Sequence, residues 1–183
     1  MTAAHSRKKN PEGIRRALLD HAARLAVEQG LHAVTVQAVS DAAGVTKGGL
    51  MHHFATKQAL VDAMFAEHLE ALGKVLADQM QADPERRGAF TRAYLRSVFE
   101  LEPTEKGGPW ASVYVAMLSD ARLRAMWANW FSGQVQANSV TDSDPVLTIV
   151  RLAADGAWLA DMSDIVLSNR AELLALLLAM TRG

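Results

Sequence analysis

Hydroxyl, basic and imidazole side chains lie close together in one short segment of the sequence. Thr46 precedes Lys47, the histidines His52 and His53 follow, and Lys57 completes the segment. Such groups donate hydrogen bonds and supply positive charge, which is the chemistry that binds phosphate oxygens and base edges. The segment therefore indicates recognition of a nucleic acid. The alternative is that the two lysines are solvated surface charges and that Thr46 only caps a helix.

Side chains that could catalyse a reaction do not form a recognised catalytic pattern. The sequence contains no Gly-rich phosphate loop, no His-Glu-x-x-His zinc motif, no Gly-x-Ser-x-Gly nucleophile elbow and no cysteine. Adjacent His52 and His53 would point about 100° apart on a helix, so they do not easily share a metal ion. His68, with Asp62 and Glu67 nearby in the sequence, is more typical of a surface or pocket-rim residue. We expect no enzyme activity, no metal site and no cofactor.

Charges are divided unevenly along the 183 residues. Residues 1–57 hold eight Lys and Arg against four acidic residues, whereas the remainder holds 11 against 16. A basic head on an acidic body is expected when only one end of a protein meets a polyanion, although small domains also differ by a few charges through chance. No run of about 18 apolar residues and no secretory signal occurs, so we expect a soluble, cytoplasmic protein without a membrane partner.

Helices are the elements that must position these groups. Apolar residues recur at intervals of three and four along most of the chain, which predicts an all-α fold of about nine helices. Three short helices and a long one are predicted first, at 11–30, 35–44, 46–54 and 57–83. Helices near 85–101, 109–119, 121–137, 145–162 and 168–181 follow, separated by loops at 103–109 and 138–145.

The two short helices on either side of Gly44 have the spacing of a helix-turn-helix. Glycine supplies the left-handed backbone conformation of a sharp turn, so that the second helix can project into a major groove of DNA. Leu50 and Phe54, four residues apart, would face inward and hold this helix against the first one. Any corner between two helices can look similar, so the turn by itself is a weak signal.

A longer run of residues makes the signal specific. The segment from Gly44 to Lys57, GVTKGGLMHHFATK, resembles the recognition-helix signature of the TetR/AcrR family of regulators, and Gly30 to Ala43 resembles that family's first turn and second helix. The resemblance covers about residues 12–60. It implies an N-terminal three-helix helix-turn-helix domain that binds DNA. We place this domain at 10–57, and a C-terminal helical domain for effector binding and dimerisation at 58–183.

The resemblance and the side-chain chemistry together predict the DNA contacts. Gly49 and Met51 stand where family members commonly have a hydroxyl-bearing residue and a tyrosine, which predicts fewer phosphate contacts. A flexible basic arm at residues 1–9 is expected to follow the minor groove or the backbone, unless it is a tag or an inert tail. The predicted DNA-binding residues are Thr35, Thr46, Lys47, Gly48, Gly49, Met51, His52, Lys57 and, in the arm, Arg7, Lys8 and Lys9.

All four tryptophans and both tyrosines come after residue 58, in the predicted second domain. An aromatic and methionine-rich lining suits a pocket for flat, hydrophobic or cationic small molecules, although the core of any helical domain needs such residues too. The long helix at 57–83 would transmit occupancy of the pocket to the DNA-binding residues. The predicted effector-pocket residues are Met64, Phe65, His68, Trp110, Tyr114, Met117, Trp127, Trp130 and Phe131.

The last two predicted helices contain apolar stripes at helical spacing. One stripe consists mostly of small residues, which permits close approach of another helix, and the other is rich in leucine. Paired with their symmetry mates the two helices would form a four-helix bundle, whereas burial within one subunit is the alternative. The predicted dimer-interface residues are Ile149, Ala153, Gly156, Ala157, Ala160, Leu173, Leu176, Leu177 and Met180.

These observations predict a homodimeric repressor that binds a palindromic operator in double-stranded DNA and leaves it when a small molecule binds. The segment from Arg151 to Asp161 resembles part of family members that control multidrug efflux genes, which implies an efflux gene as the target. The alternatives are an activator and a DNA-binding dimer that senses no ligand.

Overall fold

The computed structural model describes residues 10–100 and 110–182. No strand occurs in this part of the chain, which confirms the predicted all-α class. Its α-helices are α1 (Pro11–Gln29), α2 (Val36–Ala42), α3 (Lys47–His53), α4 (Lys57–Ala82), α5 (Ala89–Phe99), α6 (Ala111–Ser119), α7 (Ala121–Ala137), α8 (Ser139–Asp142), α9 (Pro145–Met162) and α10 (Arg170–Met180). A 3-10 turn at Leu31–Ala33 connects α1 to α2.

Two elements differ from the sequence prediction. The short helix α8 lies inside the stretch 138–145, which its composition predicts as a loop; there the backbone N–H groups of Thr141 and Asp142 both donate to the carbonyl of Asn138. Helix α5 begins at Ala89 instead of near residue 85, because Gly88 has a φ of +72° and this left-handed conformation interrupts a helix.

The chain divides into two compact units, one up to Phe65 and one from Ala66 onward. The boundary therefore falls inside α4, whereas the sequence places a domain boundary after residue 57. The first unit is a three-helix domain extended by the beginning of α4. Within the described residues, no helix is both long enough and apolar enough to cross a membrane.

The first unit is built around the buried faces of its short helices. Asn10 accepts a hydrogen bond from the backbone N–H of Gly13 at 3.0 Å, and Pro11 occupies the first helical position, so α1 begins with a favourable cap. Its core consists of Leu18, Leu19, Ala22, Ala26, Val34, Val39, Leu50, Phe54, Leu60, Val61, Met64 and Phe65, all nearly or completely removed from solvent.

The turn between α2 and α3 has the geometry that the sequence predicts. Gly44 has a φ of +65°, a conformation that residues with a Cβ rarely adopt. Its N–H donates to the carbonyl of Asp41 at 3.2 Å, and the N–H of Val45 donates to that of Ser40 at 3.0 Å. This pair of bonds is a Schellman motif, which satisfies the last carbonyls of α2 and turns the chain sharply into α3.

The second unit packs α5 against α9, with α10 lying against both. Most of α5 is buried, from Ala89 to Leu95. Apolar side chains dominate this core, but Arg92 is also fully buried. Its Nε donates to Asp83 Oδ2 at 2.7 Å and a terminal nitrogen donates to Asp83 Oδ1 at 3.1 Å. Arg92 also donates to the Thr181 hydroxyl at 3.3 Å. The bidentate pair and this bond together connect the ends of α4, α5 and α10.

Candidate DNA interface and ligand cavity

Helix α3 has two clearly different faces. Lys47, Gly48, Met51 and His52 are exposed, and at about 100° per residue they fall within an arc of about 140°. The rest of the circumference holds Leu50, which is completely buried, and half-buried Gly49 and His53. Most of the residues predicted to read DNA on this helix therefore share one solvent-facing surface, which we call the α3 outer face and define by the four exposed residues.

The inner side of α3 fixes the helix to the first unit. Leu50 and Phe54 are both buried, as expected from their spacing. The guanidinium carbon of Arg15, on α1, lies 5.0 Å from the centroid of the Phe54 ring, which is cation–π distance. These contacts hold α3 against α1 while its outer face stays open to a partner.

Threonine hydroxyls cap three consecutive helices of this unit. Thr35 accepts from the N–H of Ala38 at 3.0 Å, and Thr46 accepts from the N–H of Gly49 at 3.1 Å. A third threonine caps α4 in the same way. A capping hydroxyl still has its own hydrogen to donate, so Thr35 and Thr46, both exposed, combine a structural role with a possible donor to phosphate.

The remaining predicted DNA-binding residues are placed as follows. Lys57 is the first residue of α4 and is exposed. A Cβ added to Gly48 would meet nothing closer than the Thr46 hydroxyl oxygen at 4.0 Å, so the helix surface there is low and open. The arm residues Arg7, Lys8 and Lys9 lie outside the described residues.

The second unit encloses a half-open cavity of about 470 Å³. Five of the predicted pocket residues line it: His68, Trp110, Tyr114, Met117 and Trp127. Eight further described residues that the sequence did not identify also line it: Leu72, Tyr94, Ser97, Val98, Leu118, Asp155, Trp158 and Leu159.

Four predicted pocket residues do not line this cavity. Met64 and Phe65 are nearly or completely buried and lie on the part of α4 that belongs to the first unit. Trp130 and Phe131 pack against the α5–α9 core of the second unit. The environment of these four residues is that of an ordinary helical core, which was the alternative to a pocket lining.

Tyr114 lies at the centre of the aromatic wall. Its ring stands nearly perpendicular to that of Trp127, at 83° with centroids 5.4 Å apart, and to that of Trp158, at 78° and 5.8 Å. Its hydroxyl lies 2.8 Å from Nε2 of His68. Burial raises the pKa of Tyr114, so the phenol stays protonated.

Asp155, on α9, brings a carboxylate to the cavity wall. The hydroxyl of Tyr94, on α5, donates to its Oδ1 at 2.5 Å. Burial raises the pKa of Asp155, while the bond from Tyr94 and the charge of Arg151 act in the opposite direction. A single acid between Ala154 and Gly156, in an otherwise apolar stretch of helix, was the signal in the sequence that could have identified it.

The predicted dimer-interface residues lie on more than one face of the last two helices. Ile149, Gly156 and Leu176 are exposed. Ala153 and Ala160 are half-buried, whereas Ala157 is buried inside the subunit. Leu173, Leu177 and Met180 pack against the subunit's own core. The apolar face of α9 that is open to solvent comprises Val146, Ile149, Leu152, Gly156 and Leu159, and we call it the α9 outer face.

Within residues 10–100 and 110–182, no group of three or more His, Cys, Asp or Glu side chains is placed to hold a metal ion. What the geometry offers is a polar, basic outer face on a helix-turn-helix and a separate cavity with an aromatic wall.

Two protein-family descriptions match this architecture. Residues 88–182, more than half of the chain, match the family described as "Tetracyclin repressor-like, C-terminal domain". The chain belongs to the TetR family. Residues 18–64, which include α2 and α3, match "Bacterial regulatory proteins, tetR family". Membership of the TetR family confirms the resemblance found in the sequence and the N-terminal helix-turn-helix. It also confirms that the chain is a transcriptional regulator and not an enzyme.

Relatives of this TetR-family protein include one curated repressor and one solved structure that cover most of its length. The HTH-type transcriptional repressor KstR2 of Rhodococcus jostii strain RHA1 is 29% identical over 160 residues, which span 81% of this chain and 78% of KstR2. KstR2 of Mycobacterium tuberculosis strain H37Rv is 44% identical over 55 residues, 30% of this chain and 28% of that protein. The crystal structure of multidrug binding protein EbrR complexed with malachite green has a TM-score of 0.71 at 22% identity, covering 91% of this chain and 97% of that one. The likeness to EbrR shows the shared fold.

Proposed function

We propose that this TetR-family regulator is a homodimeric repressor that binds a palindromic operator in the cytoplasm and leaves it when a small, largely apolar molecule, neutral or cationic, occupies the cavity of the second unit. The α3 outer face, backed by fully buried Leu50, is the observation on which DNA binding rests. Repression is supported by the relatives KstR2 of two species, which are both named repressors.

DNA recognition is assigned to exposed groups of the first unit. Lys47 and Lys57 supply cations for phosphates, and the Thr35 and Thr46 hydroxyls supply donors. We assign Met51 and His52, both exposed, to contacts with base edges. A thioether can contact a thymine methyl group, and an imidazole can form a hydrogen bond with a purine. Gly48 and half-buried Gly49 keep the helix surface low, so that α3 can approach the floor of the groove. The arm residues Arg7, Lys8 and Lys9 would add phosphate contacts.

The test of DNA binding is a selection from random duplexes, followed by affinity measurements over a range of salt concentrations. Each phosphate contact adds about 0.9 to the slope of log affinity against log salt, so Lys47→Ala and Lys57→Ala should each lower the slope by about one per subunit. Lys74→Ala is the matched control, because Lys74 lies on α4 in the second unit, exposed and paired with Glu70. Salt-insensitive binding to every duplex would refute the proposal.

Dimerisation is assigned to the α9 outer face together with exposed Leu176 of α10. Ile149, Leu152 and Leu159 are each more than half exposed, and these side chains recur at helical spacing along one apolar strip. A symmetric dimer presents two α3 helices, which must match successive major grooves about 34 Å apart. A palindromic operator follows from that symmetry.

The effector is assigned to the cavity because its wall is aromatic and its volume suits a small organic molecule. EbrR, which has this fold, is titled a multidrug binding protein and has structures with malachite green and with ethidium. Because the segment from Arg151 to Asp161 resembles part of family members that control multidrug efflux genes, we also propose that the regulated gene encodes an efflux function. A compound screen should find at least one ligand that quenches tryptophan fluorescence and also weakens operator binding. If no compound quenches tryptophan fluorescence, the chain is a DNA-binding dimer that senses no ligand; if a compound binds and strengthens operator binding, the chain is an activator.

A further inference from the structure

We propose that the effector is an organic cation and that Asp155, positioned by Tyr94, is its counter-ion in the cavity. This inference rests on the function proposed above and deepens it by naming the chemical class of the effector. The carboxylate lies on α9 and reaches the cavity wall, where Tyr94 from α5 donates a hydrogen bond to one of its oxygens at 2.5 Å. In the described part of the chain, the Tyr94 hydroxyl is the one group that donates a hydrogen bond to the Asp155 carboxylate.

The charges around the cavity favour a positive ligand. Among the described residues that line it, Asp155 and His68 are the two with side chains that titrate between acid and neutral pH, and neither lysine nor arginine is present. Burial lowers the pKa of His68 to about 4, so the imidazole is neutral near pH 7. An ionised Asp155 therefore gives the described lining of the cavity a negative charge, which a positively charged ligand placed inside the cavity would neutralise.

Among the described residues, Arg151 is the cation whose charge acts on Asp155, and its terminal nitrogens are hydrogen-bonded to other groups. It lies one turn before Asp155 on α9, is 5% exposed, and lines a neighbouring cleft that Asp155 also lines, but it does not line the cavity. One terminal nitrogen donates to the Thr91 hydroxyl at 2.7 Å, and the other donates to the Thr148 hydroxyl at 2.9 Å. Burial raises the pKa of Asp155, and the hydrogen bond from Tyr94 and the charge of Arg151 partly oppose that rise, which favours the ionised carboxylate.

The aromatic wall supplies the second half of a cation site. Trp110, Tyr114, Trp127 and Trp158 all line the cavity that Asp155 reaches. The π-faces of tryptophan and tyrosine attract organic cations, and a carboxylate beside such rings adds a full opposite charge. A volume of about 470 Å³ is large for a bare ammonium head group, which points to a cation with a ring or a branched apolar body.

The test compares two ions of nearly identical size and shape but opposite charge, tetraphenylphosphonium and tetraphenylborate. Binding of each to the full-length dimer is measured by calorimetry in sodium buffer near pH 7.5, with ethidium as a flat cationic probe. We expect both cations to bind and the borate to bind roughly tenfold to a hundredfold more weakly, because ionic and cation–π attraction each contribute up to about tenfold.

Variants then assign the charge to one residue. Asp155→Asn, which keeps the shape of the side chain, should lower the affinity for tetraphenylphosphonium by about tenfold and remove most of the preference over the borate. Tyr94→Phe should lower that preference by a smaller factor, because it removes only the group that positions the carboxylate. Asp78→Asn is the matched control, since Asp78 is an exposed residue of α4 outside the cavity, and it should change neither value.

Three binding results would each overturn the inference. They are equal affinity for tetraphenylphosphonium and tetraphenylborate, an unchanged preference for the phosphonium in Asp155→Asn, and no binding of either tetraphenylphosphonium or ethidium. The proposed function is tested by a separate measurement, which is the release of the operator. If neutral aromatic compounds quench tryptophan and release the operator while cations do not, the cation inference fails and the repressor proposal stands. If no compound of any charge releases the operator, the ligand-responsive function itself fails.

Discussion

The imidazole of His68 stacks on the indole of Trp110, with ring centroids 3.9 Å apart and planes 20° from parallel. Since the Tyr114 hydroxyl lies 2.8 Å from Nε2 of the same imidazole, two aromatic residues from the region of α6 enclose one histidine of α4. Burial penalises the charged form and lowers the pKa of His68 from 6.5 to about 4. The cavity wall therefore contains a neutral histidine at physiological pH.

This pKa predicts a specific loss of stability in acid. In the unfolded chain His68 binds a proton near pH 6.5, whereas in the folded protein it does so only near pH 4. The stability that its neutral state contributes is therefore present above pH 6.5 and is lost as the pH falls toward 4. Between pH 6.5 and 4.5, the wild type should lose about 2 kcal/mol more unfolding free energy than His68→Gln, which does not titrate. Equal losses in urea titrations would show that His68 does not cause the effect.

The small size of Gly48 is predicted to favour DNA affinity without contributing to stability. It is exposed on the α3 outer face, and an added Cβ would meet open space. Gly48→Gln should raise the unfolding free energy by up to about 0.5 kcal/mol, because glutamine is the better helix former. The same side chain would protrude toward the groove floor, so operator affinity should fall about tenfold, or about 1.4 kcal/mol.

Gly133 provides the matched control for this prediction. It lies in α7, is exposed, and has nothing within 4 Å of an added Cβ. Gly133→Gln should therefore give the same gain in stability and leave operator affinity unchanged. If both variants bind the operator like the wild type, α3 does not approach the groove closely at Gly48.

The first unit could be predicted in detail because its signals are local. The cap at Thr46, the turn at Gly44 and the inward pair Leu50 and Phe54 lie within a few residues of one another. Each is fixed by short-range geometry that the sequence displays directly. The structure places all of them as the sequence predicts.

The cavity could be predicted only in part because its wall depends on how helices pack. Tyr94 and Asp155 are 61 positions apart and meet because α5 packs against α9, which no local pattern encodes. On α9, apolar residues occupy nearly the whole circumference, so a stripe of small residues did not reveal that Ala157 faces inward while Leu152 faces solvent.

The buried pair of Arg92 and Asp83 should dominate the electrostatic stability of the second unit. Their side chains are 0% and 5% exposed, and hydrogen bonding from Arg92 lowers the pKa of Asp83. Removing one partner leaves the other charge buried and unpaired, so Arg92→Met should cost about 3 kcal/mol of unfolding free energy. Lys74→Met, which breaks an exposed pair with Glu70, should cost less than about 1 kcal/mol. Chemical denaturation measures both values, and similar costs would show that burial does not determine them.

Gly156 on the α9 outer face should report the dimer contact. An added Cβ there meets nothing within the subunit, so Gly156→Gln leaves the fold intact and, like Gly133→Gln, gains helix propensity. If another α9 approaches at this position, the new side chain separates the two helices, because close approach requires small residues. Sedimentation at micromolar protein should then show monomer for Gly156→Gln and dimer for Gly133→Gln, with operator affinity lost only in the first. A dimer in both variants would place the interface elsewhere.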